Sequence, residues 1–213
     1  MKMVIKMAKK KKEEMTEEEK TVIEKNTKRA ARDMALEYGP FVIILIFIVL
    51  IRTFICSPVR VDGSSMNPTL TDGDYMLLYK LKMKKQGINR FDIVVVNTDK
   101  TTLVKRVIGL PGEFVKYEVK EQDGEIKPIL YINDKVVEEN FLSEDFKIHT
   151  CKYKTDLCEN GVQLGENEYF VMGDNRSNSH DSRYIGGIDK GNIKGIVELR
   201  LFPFNHIGSV KGN

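Results

Sequence analysis

An unbroken apolar run over Phe41–Ile51 constrains this chain more than any other feature of its sequence. Its eleven residues offer no polar face, so as a helix they need apolar surroundings on every side. Spanning a bilayer takes about 20 residues, and the flanks extend the run to that length, with Arg52 reaching toward headgroups. We predict a single transmembrane helix over residues 38–56. The alternative, a helix buried in a protein core, needs more surrounding protein than a domain of this size offers.

The segment before the apolar run is charged and predicts the orientation of the chain. Lysines at positions 9 to 12 indicate, by the positive-inside bias, that residues 1–37 form a cytoplasmic tail. Residues 57–213 then form an extracytoplasmic domain. A cleaved secretory signal is disfavoured because the charged leader is long and no Ala-x-Ala-like site follows the run. Lipoprotein processing at Cys56 is disfavoured because Ile55 stands where a small residue is needed.

The sequence after Ser57 is mainly typical of β-strands. Turn signals such as Asp72-Gly73, Asp123-Gly124 and Asn133-Asp134 separate its apolar or alternating segments. Six segments are predicted as strands: residues 92–97, 101–109, 113–119, 129–133, 168–172 and 195–202. No run with strong helical periodicity lies between them, which disfavours a βαβ fold and favours antiparallel sheets. We therefore predict a mainly β domain with one N-terminal transmembrane helix.

Composition excludes several classes of function. The 34 Lys and Arg residues nearly balance the 31 Asp and Glu residues, and a net charge of +3 does not indicate nucleic-acid binding. The three cysteines and three histidines lack the spacing of a zinc or other metal site. We expect no nucleic-acid partner, no metal and no cofactor. Cys151 and Cys158 form either a disulfide outside the cell or two free thiols.

The turn Val61–Leu70 carries a candidate nucleophile. Gly63 and Pro68 bracket Ser64 and Ser65, and a turn of this kind can present a hydroxyl group. Nothing in the segment separates the two serines. The alternative is that both are ordinary surface turn residues.

The predicted strand over Thr102–Gly109 carries a candidate general base. Its faces are otherwise apolar, so burial on both sides places Lys105 or Arg106 among apolar neighbours. Arginine stays charged, whereas lowering the pKa of a lysine from about 10.4 to about 7 or 8 costs about 4 kcal/mol, which burial can supply. Lys105 can therefore act as a neutral base at physiological pH. The alternative is an edge strand with both charges in water.

A third polar segment, Gly173–Arg183, directly follows a predicted strand. If its latter part is extended, Ser179, Asp181 and Arg183 share one side, so the carboxylate and the guanidinium can pair. The alternative is a surface loop. A Ser-His-Asp triad through His180 is disfavoured, because sequence neighbours on a strand point to opposite faces.

Taken together, these segments closely resemble bacterial type I signal peptidases, the membrane enzymes that remove signal peptides from exported proteins. The matching segments occur in the family's order: residues 41–51, the serine box at 63–70, the strand at 91–96, the lysine box at 105–112, and residues 173–183. The resemblance spans about residues 40–204. Much of residues 113–167, a variable β-rich insertion, lies outside the family's recognisable boxes.

The resemblance implies an activity and a substrate. It makes Ser65, which directly precedes Met66, the nucleophile and Lys105 the general base of a serine/lysine dyad. The expected substrate is an extended signal peptide with small side chains one and three residues before the cut. Such a peptide can add as a strand beside residues 58–63 or 101–105. The other implied partners are membrane lipid and, by proximity, the secretion translocon.

The resemblance also implies supporting roles around the dyad. Ser179 is expected to orient the lysine, and Asp181 and Arg183 to form a structural ion pair. The Ser65 amide is expected to contribute to an oxyanion hole. Some members place a serine hydroxyl, as a second oxyanion donor, where this chain has Gly63, so that hydroxyl is missing here.

Two other classes of protein share parts of this pattern. A self-cleaving repressor with a serine/lysine pair fits worse, because this chain has an apolar anchor and no alanine after Ala35 for an Ala-Gly cleavage point. A catalytically inactive, anchored β-domain that only binds peptides differs from the peptidase in activity alone.

Overall fold

The computed structural model describes residues 16–98, 101–122, 125–151 and 156–210. The lysine run at positions 9 to 12 and the Asp123-Gly124 turn signal lie outside these ranges. The chain divides after Leu50 into two units, which are described separately.

The first unit contains one long helix, α1, over Glu17–Leu50. Thr16 and Glu19 begin it as a capping box: the Thr16 N–H donates to Glu19 Oε2 at 3.0 Å, and the Glu19 N–H donates to Thr16 Oγ1 at 3.4 Å. Pro40 lies inside the helix without ending it. The apolar side chains from Phe41 onward are exposed, and this is the one described helix long and apolar enough to cross a bilayer. The predicted span of residues 38–56 thus begins inside a longer helix and extends past the end of that helix at Leu50.

The second unit begins with a π-helical turn, Ile51–Ile55, and is mainly β. The strands of the larger sheet are β1 (Cys56–Arg60), β2 (Tyr75–Tyr79), β3 (Ile93–Asn97), β4 (Thr102–Gly109), β9 (Glu168–Met172), β10 (Ile188–Asp189), β11 (Ile193–Phe202) and β12 (Gly208–Ser209). The strands of the smaller sheet are β5 (Phe114–Gln122), β6 (Glu125–Ile132), β7 (Lys135–Val137) and β8 (Val162–Gln163). Short helices are α2 (Lys80–Gln86), α3 (Glu144–Lys147), α4 (Asp156–Glu159) and α5 (Ser182–Ile185), with 3-10 turns at Lys190–Asn192 and Phe204–His206.

Every strand pair in the described residues is antiparallel, as the lack of crossover helices predicted. The larger sheet has the order β1-β2-β11-β3-β4-β9-β10, with β12 beside β11, and the smaller has the order β7-β6-β5-β8. All six predicted strands are confirmed. Strand β2 was not predicted, although its apolar run YMLLY is typical of a strand.

Strands β3 and β4 are buried on both faces. Val95 of β3 packs in one apolar cluster with Met66, and its neighbours Val94 and Val96 pack in another on the opposite face. Ile108 of β4 belongs to a third cluster beneath the smaller sheet. These strands therefore form a rigid platform for any functional side chain that they carry.

Candidate active site

Ser65 lies in a turn that connects β1 to β2 and is anchored by apolar side chains. The Val61 N–H donates to the Asp74 carbonyl at 2.8 Å, which closes the base of the turn. Met66 and Leu70 are almost fully buried in the core, so the residue before Met66 is held at the protein surface of the turn. Ser65 is half-buried there, accessible to a substrate but fixed in place by its neighbour.

Lys105 lies on β4 and contacts Ser65 across 40 residues of sequence. Its Nζ and Ser65 Oγ are 2.6 Å apart, within hydrogen-bonding distance. Lys105 is 2% exposed and Arg106 is fully buried, so both faces of the strand are shielded from water. The edge-strand alternative for this segment is therefore wrong.

Burial changes the acidity of the lysine. Desolvation lowers the pKa of Lys105 from the ordinary 10.5 to about 8, against the opposing effect of the Asp181 and Asp174 carboxylates, while the Arg183 guanidinium lowers it further. A substantial fraction of the amine is therefore neutral near pH 8. A neutral amine in contact with a serine hydroxyl can accept its proton.

The loop of residues 173–183 holds the turn that carries the serines. The Asn175 N–H donates to the Ser65 carbonyl at 3.0 Å, and Asn175 Nδ2 donates to the Ser64 carbonyl at 3.1 Å. Asn178 Nδ2 donates to Ser64 Oγ at 2.9 Å. The two serines, equivalent in the sequence, thus have different surroundings: Ser65 meets Lys105, whereas Ser64 is bound by amides.

The predicted ion pair between Asp181 and Arg183 is present. Arg183 Nε and Nη2 donate to Asp181 at 2.8 and 3.0 Å, and the Gly173 N–H donates to Asp181 Oδ2 at 2.9 Å. Burial alone raises the pKa of Asp181, but Arg183 and the Gly173 amide outweigh it, so that the pKa lies below its ordinary value. The pair therefore stays ionised beside the site.

Two other residues of this loop, Ser179 and His180, make no side-chain hydrogen bond to Lys105 or Ser65 in the part of the chain that the structure describes. Ser179 Oγ is buried close to Gly173 but has no hydrogen-bond partner among the described residues, so the expected bond to Lys105 is not formed. Lys105 instead directs its amine to Ser65. His180 stacks on Tyr184, with ring centroids 5.5 Å apart, and takes no part in the contact between Ser65 and Lys105. The disfavoured triad is absent from this site.

The backbone around the nucleophile offers one free donor at the expected place. The Gly63 N–H donates to Asp72 Oδ1 at 2.8 Å, so this donor already has a partner. Gly63 has a φ of +90°, which favours glycine here. The Ser65 N–H has no partner among the described residues and is available to a ligand. Of the two residues predicted for the oxyanion region, the geometry leaves only Ser65 as a donor.

A buried ion pair between Arg106 and Asp174, which was not predicted from the sequence, lies next to the site. Arg106 Nε and Nη2 donate to the two carboxylate oxygens of Asp174 at 2.9 and 2.6 Å, with both side chains fully buried. Thr69 Oγ1 donates to the same carboxylate at 2.5 Å. The pair joins the lysine strand, the serine turn and the 173–183 loop. Its signal in the sequence was the basic residue beside Lys105, which needs a buried carboxylate.

The cysteines of the sheet unit include one disulfide-bonded pair. Cys151 and Cys158 form a disulfide, with Cα atoms 5.9 Å apart, which decides the alternative left open by the sequence. Within the described ranges, no three His, Cys, Asp or Glu side chains are grouped as ligands for a metal ion.

Comparison with known proteins identifies the family. The model of the family described as signal peptidase, peptidase S26, matches residues 35–202. Signal peptidase I T of Bacillus subtilis (strain 168) is 39% identical over 203 residues, covering 92% of this chain and 100% of that protein. Signal peptidase I of Bacillus licheniformis is 40% identical over 170 residues, covering 78% of this chain and 87% of that protein. Signal peptidase I of Streptococcus pneumoniae serotype 4 is 32% identical over 210 residues, covering 81% and 95%.

Among solved structures, a signal peptidase I from Enterococcus faecalis V583 is similar to this chain, with 30% identity and a TM-score of 0.40. The match covers 51% of this chain and 95% of that structure. By the family match and the full-length relatives, the chain belongs to the signal peptidase family, peptidase S26. It is therefore a membrane-anchored peptidase, and its family's activity is the removal of signal peptides from preproteins.

Proposed function

We propose that this chain cleaves signal peptides with Ser65 as nucleophile and Lys105 as general base. The observation that carries the proposal is the 2.6 Å contact between Lys105 Nζ and Ser65 Oγ, made by a lysine that is almost fully buried. The lowered pKa of Lys105 supports the same assignment, because the base must be neutral to accept a proton.

The reaction proceeds through an acyl-enzyme. Ser65 Oγ forms a bond to the scissile carbonyl carbon while Lys105 takes the hydroxyl proton, and the carbonyl oxygen becomes an oxyanion near the free Ser65 N–H. The carbon–nitrogen bond then breaks, and the proton on Lys105 passes to the leaving amine. Water, deprotonated by the neutral lysine, hydrolyses the ester and releases the signal peptide.

The residues around the dyad have supporting roles. Asp181 and Arg183 hold the 173–183 loop in place, as their mutual bonds and the bond from the Gly173 N–H to Asp181 indicate. Ser179 orients Lys105 once a substrate fills the cleft. Its buried hydroxyl, which has no partner in the described residues, supports this role.

The substrate adds as a strand at an open edge of the larger sheet. Strand β9 pairs with β4 only from Arg106 onward, so residues 102–105 have no neighbour on that side among the described strands. The Val107 N–H donates to the Asp92 carbonyl, on the side of β4 that faces β3. Along a strand, the backbone N–H and C=O groups of successive residues point to alternate sides, so those of Val107 and Lys105 face β3. The N–H and C=O groups of Val104 therefore point to the open side. Strand β1 is a second free edge.

Specificity for small residues follows from what lines this edge. Val59 and Val104 are partly buried and pack against the same apolar cluster as Val61 and Met66, next to Ser65. In the proposed complex, the substrate side chains next to the cut lie on this apolar surface. It suits small residues one and three positions before the cut, which share one face of an extended peptide.

The catalytic unit lies on the outer side of the membrane. The anchor of residues 38–56 spans the bilayer, and the positive-inside bias keeps the lysine-rich tail in the cytoplasm. A signal peptide is then cut after it has crossed at the translocon, and membrane lipid surrounds the anchor.

Cleavage of a preprotein by the full chain in detergent tests the dyad. We expect Ser65→Ala and Lys105→Ala each to lower kcat to the background rate, because the first removes the nucleophilic hydroxyl and the second removes the base that takes its proton. Ser64→Ala is the matched control and should retain most activity, since Ser64 contacts amides and not the lysine. Substantial cleavage by Ser65→Ala would show that this mechanism is wrong.

A further inference from the structure

Arg176 is a fully buried arginine to which the mechanism above gives no role. Its backbone belongs to the 173–183 loop, which binds the serine turn, but its side chain extends into the smaller sheet. We propose that Arg176 is a positioning residue through which the smaller sheet holds this loop against Ser65. This inference rests on the proposed function, because it explains how the nucleophile is kept in place.

The guanidinium of Arg176 is bound on several sides by the smaller sheet and its connections. Nη1 donates to Thr150 Oγ1 at 2.8 Å and to Tyr117 Oη at 3.1 Å, and Nη2 donates to Glu139 Oε1. Tyr117 lies on β5, while Glu139 and Thr150 lie in the segment after β7. All three partners are buried. The position of the Arg176 side chain is thus fixed by residues of the 113–167 insertion.

The backbone side of the loop transmits that position to the nucleophile. Arg176 Nε also donates to the Gly173 carbonyl at 3.2 Å, which ties the side chain to the start of the loop. Gly173 packs so closely on the Ser65 carbonyl oxygen that a Cβ there would clash with it. The next contact is the bond from the Asn175 N–H to the same oxygen. A shift of Arg176 therefore moves the two groups that touch Ser65.

The disulfide is next to Thr150, one of the residues that bind the Arg176 guanidinium. Cys151 directly follows Thr150 and is bonded to Cys158 of α4. Both cysteines pack on the apolar cluster of the smaller sheet. The bond restricts the segment that presents the Thr150 hydroxyl to Arg176. The insertion, which has none of the family's sequence boxes, thereby supports the catalytic loop directly.

The charged groups near Lys105 depend on the same loop. Arg183 Nη1 donates to the Arg176 carbonyl at 2.8 Å, and Arg183 in turn binds Asp181. Asp181, Arg183 and Asp174 are the charged residues that influence the pKa of Lys105, after burial itself. Loosening the loop admits water to the lysine, and its pKa then rises toward the ordinary value. If Arg176 positions the loop, a change at its partners therefore shifts the pH profile of cleavage. A loss of global stability alone does not shift that profile.

The experiment compares isosteric and conservative variants in the full chain in detergent, at temperatures where unfolding curves show each protein to be folded. Thr150→Val removes the hydroxyl while keeping the shape, Thr150→Ser keeps the hydroxyl, and Glu139→Gln removes the charge that neutralises Arg176. Glu113→Gln is the matched control: Glu113 also pairs with an arginine, Arg90, but away from the loop.

We expect Thr150→Val and Glu139→Gln to lower kcat about 10- to 100-fold, because a displacement of about 1 Å at the reacting atoms has an effect of that size. KM should change less than about twofold, since the edge of β4 is untouched. The limb of kcat/KM that reports Lys105 should move to higher pH. Thr150→Ser and Glu113→Gln should keep the wild-type kcat and pH profile.

Three results would overturn the inference. Wild-type kcat and pH profile in both Thr150→Val and Glu139→Gln would show that Arg176 does not position Ser65. An equal loss in Glu113→Gln would assign the effect to general destabilisation. Full activity in Ser65→Ala would overturn the proposed function and this inference together, whereas an inactive Ser65→Ala with unaffected Thr150 and Glu139 variants would overturn the inference alone.

Discussion

At the scale of single residues, the site depends on two neighbouring basic residues that β4 places on its opposite faces. Lys105 and Arg106 are both buried, but on opposite faces of β4. Arg106 meets the Asp174 carboxylate and stays charged, while Lys105 meets the neutral hydroxyl of Ser65. The same burial therefore produces a structural ion pair on one side and a base with a lowered pKa on the other.

The pH dependence of cleavage should report the pKa of Lys105. Because burial lowers that pKa to about 8, the neutral fraction of the amine falls about tenfold for each pH unit below 8. We expect kcat/KM to rise with pH up to about 8 and then to level off. Rates on a peptide substrate between pH 6 and 9.5 would measure this, and a rate independent of pH below 7 would exclude Lys105 as the base.

Lys105 should also reduce the stability of the fold at neutral pH. The unfolded lysine keeps its proton up to about pH 10.5 and the folded one only to about pH 8, so stability rises between these values as the folded state no longer carries the buried charge. Lys105→Met removes the charge and keeps the length. We expect it to be inactive, yet to unfold with a free energy about 1 to 3 kcal/mol higher at pH 7.

Denaturant unfolding of the full chain in detergent measures this difference. It should shrink at pH 10, where the wild-type lysine is neutral in the folded state. A Lys105→Met variant less stable than wild type at pH 7 would contradict the effect of burial on this group.

At the scale of elements, β4, the Val61–Leu70 turn and the 173–183 loop meet at the Asp174 carboxylate. It accepts two bonds from Arg106 and one from Thr69, and its own chain continues into Asn175, which binds Ser65. Three separate segments are thus fixed relative to one another by one buried charge. This explains how the dyad is held at hydrogen-bonding distance by residues that do no chemistry.

Asp174→Ala should destabilise the fold strongly. It leaves the Arg106 charge buried without its partner, and breaking such a pair costs about 3 to 5 kcal/mol. Glu118→Gln is the control, because Glu118 pairs with Lys116 at the surface and an exposed pair contributes about 1 kcal/mol or less. The midpoints of guanidinium unfolding compare the two, and similar midpoints would contradict the structural role of Asp174.

At the scale of the whole molecule, the chain consists of a long helix and a β-sheet unit that divide at Leu50. Exposed apolar side chains cover the helix from Phe41 to Leu50, a pattern that only an apolar surrounding stabilises. The sheet unit has its own core in three clusters among the described residues. The two units are thus adapted to different solvents, lipid and water.

The proposed topology predicts the pattern of protease protection. In intact cells without a wall, protease added outside should degrade the sheet unit and leave an epitope tag placed before residue 16 intact. The reason is that the proposed topology, which follows the positive-inside bias, places the lysine-rich tail in the cytoplasm. Loss of the tag under these conditions, with a cytoplasmic marker protein protected, would contradict the orientation.

The sequence by itself determined the elements whose signals are local. Apolar runs and alternation predicted the anchor and six strands, because burial of each face is encoded by residues two or three positions apart. Alternation also placed Lys105 and Arg106 on opposite faces. The helix extends to Glu17, well before the apolar run, because a capping box begins it there, and β2 was missed because its short apolar run lies next to a lysine-rich segment.

Only the tertiary structure decided which residues meet. The residues of the turn do not by themselves separate Ser64 from Ser65, and only the family resemblance chose Ser65; the fold brings Lys105 to Ser65 and Asn178 to Ser64. It also paired Arg106 with Asp174 and placed Arg176 in the smaller sheet, contacts between residues 37 to 68 positions apart. Such contacts follow from strand order and from the balance of buried charges, which depend on the packing of the whole chain and leave no periodic trace in the sequence.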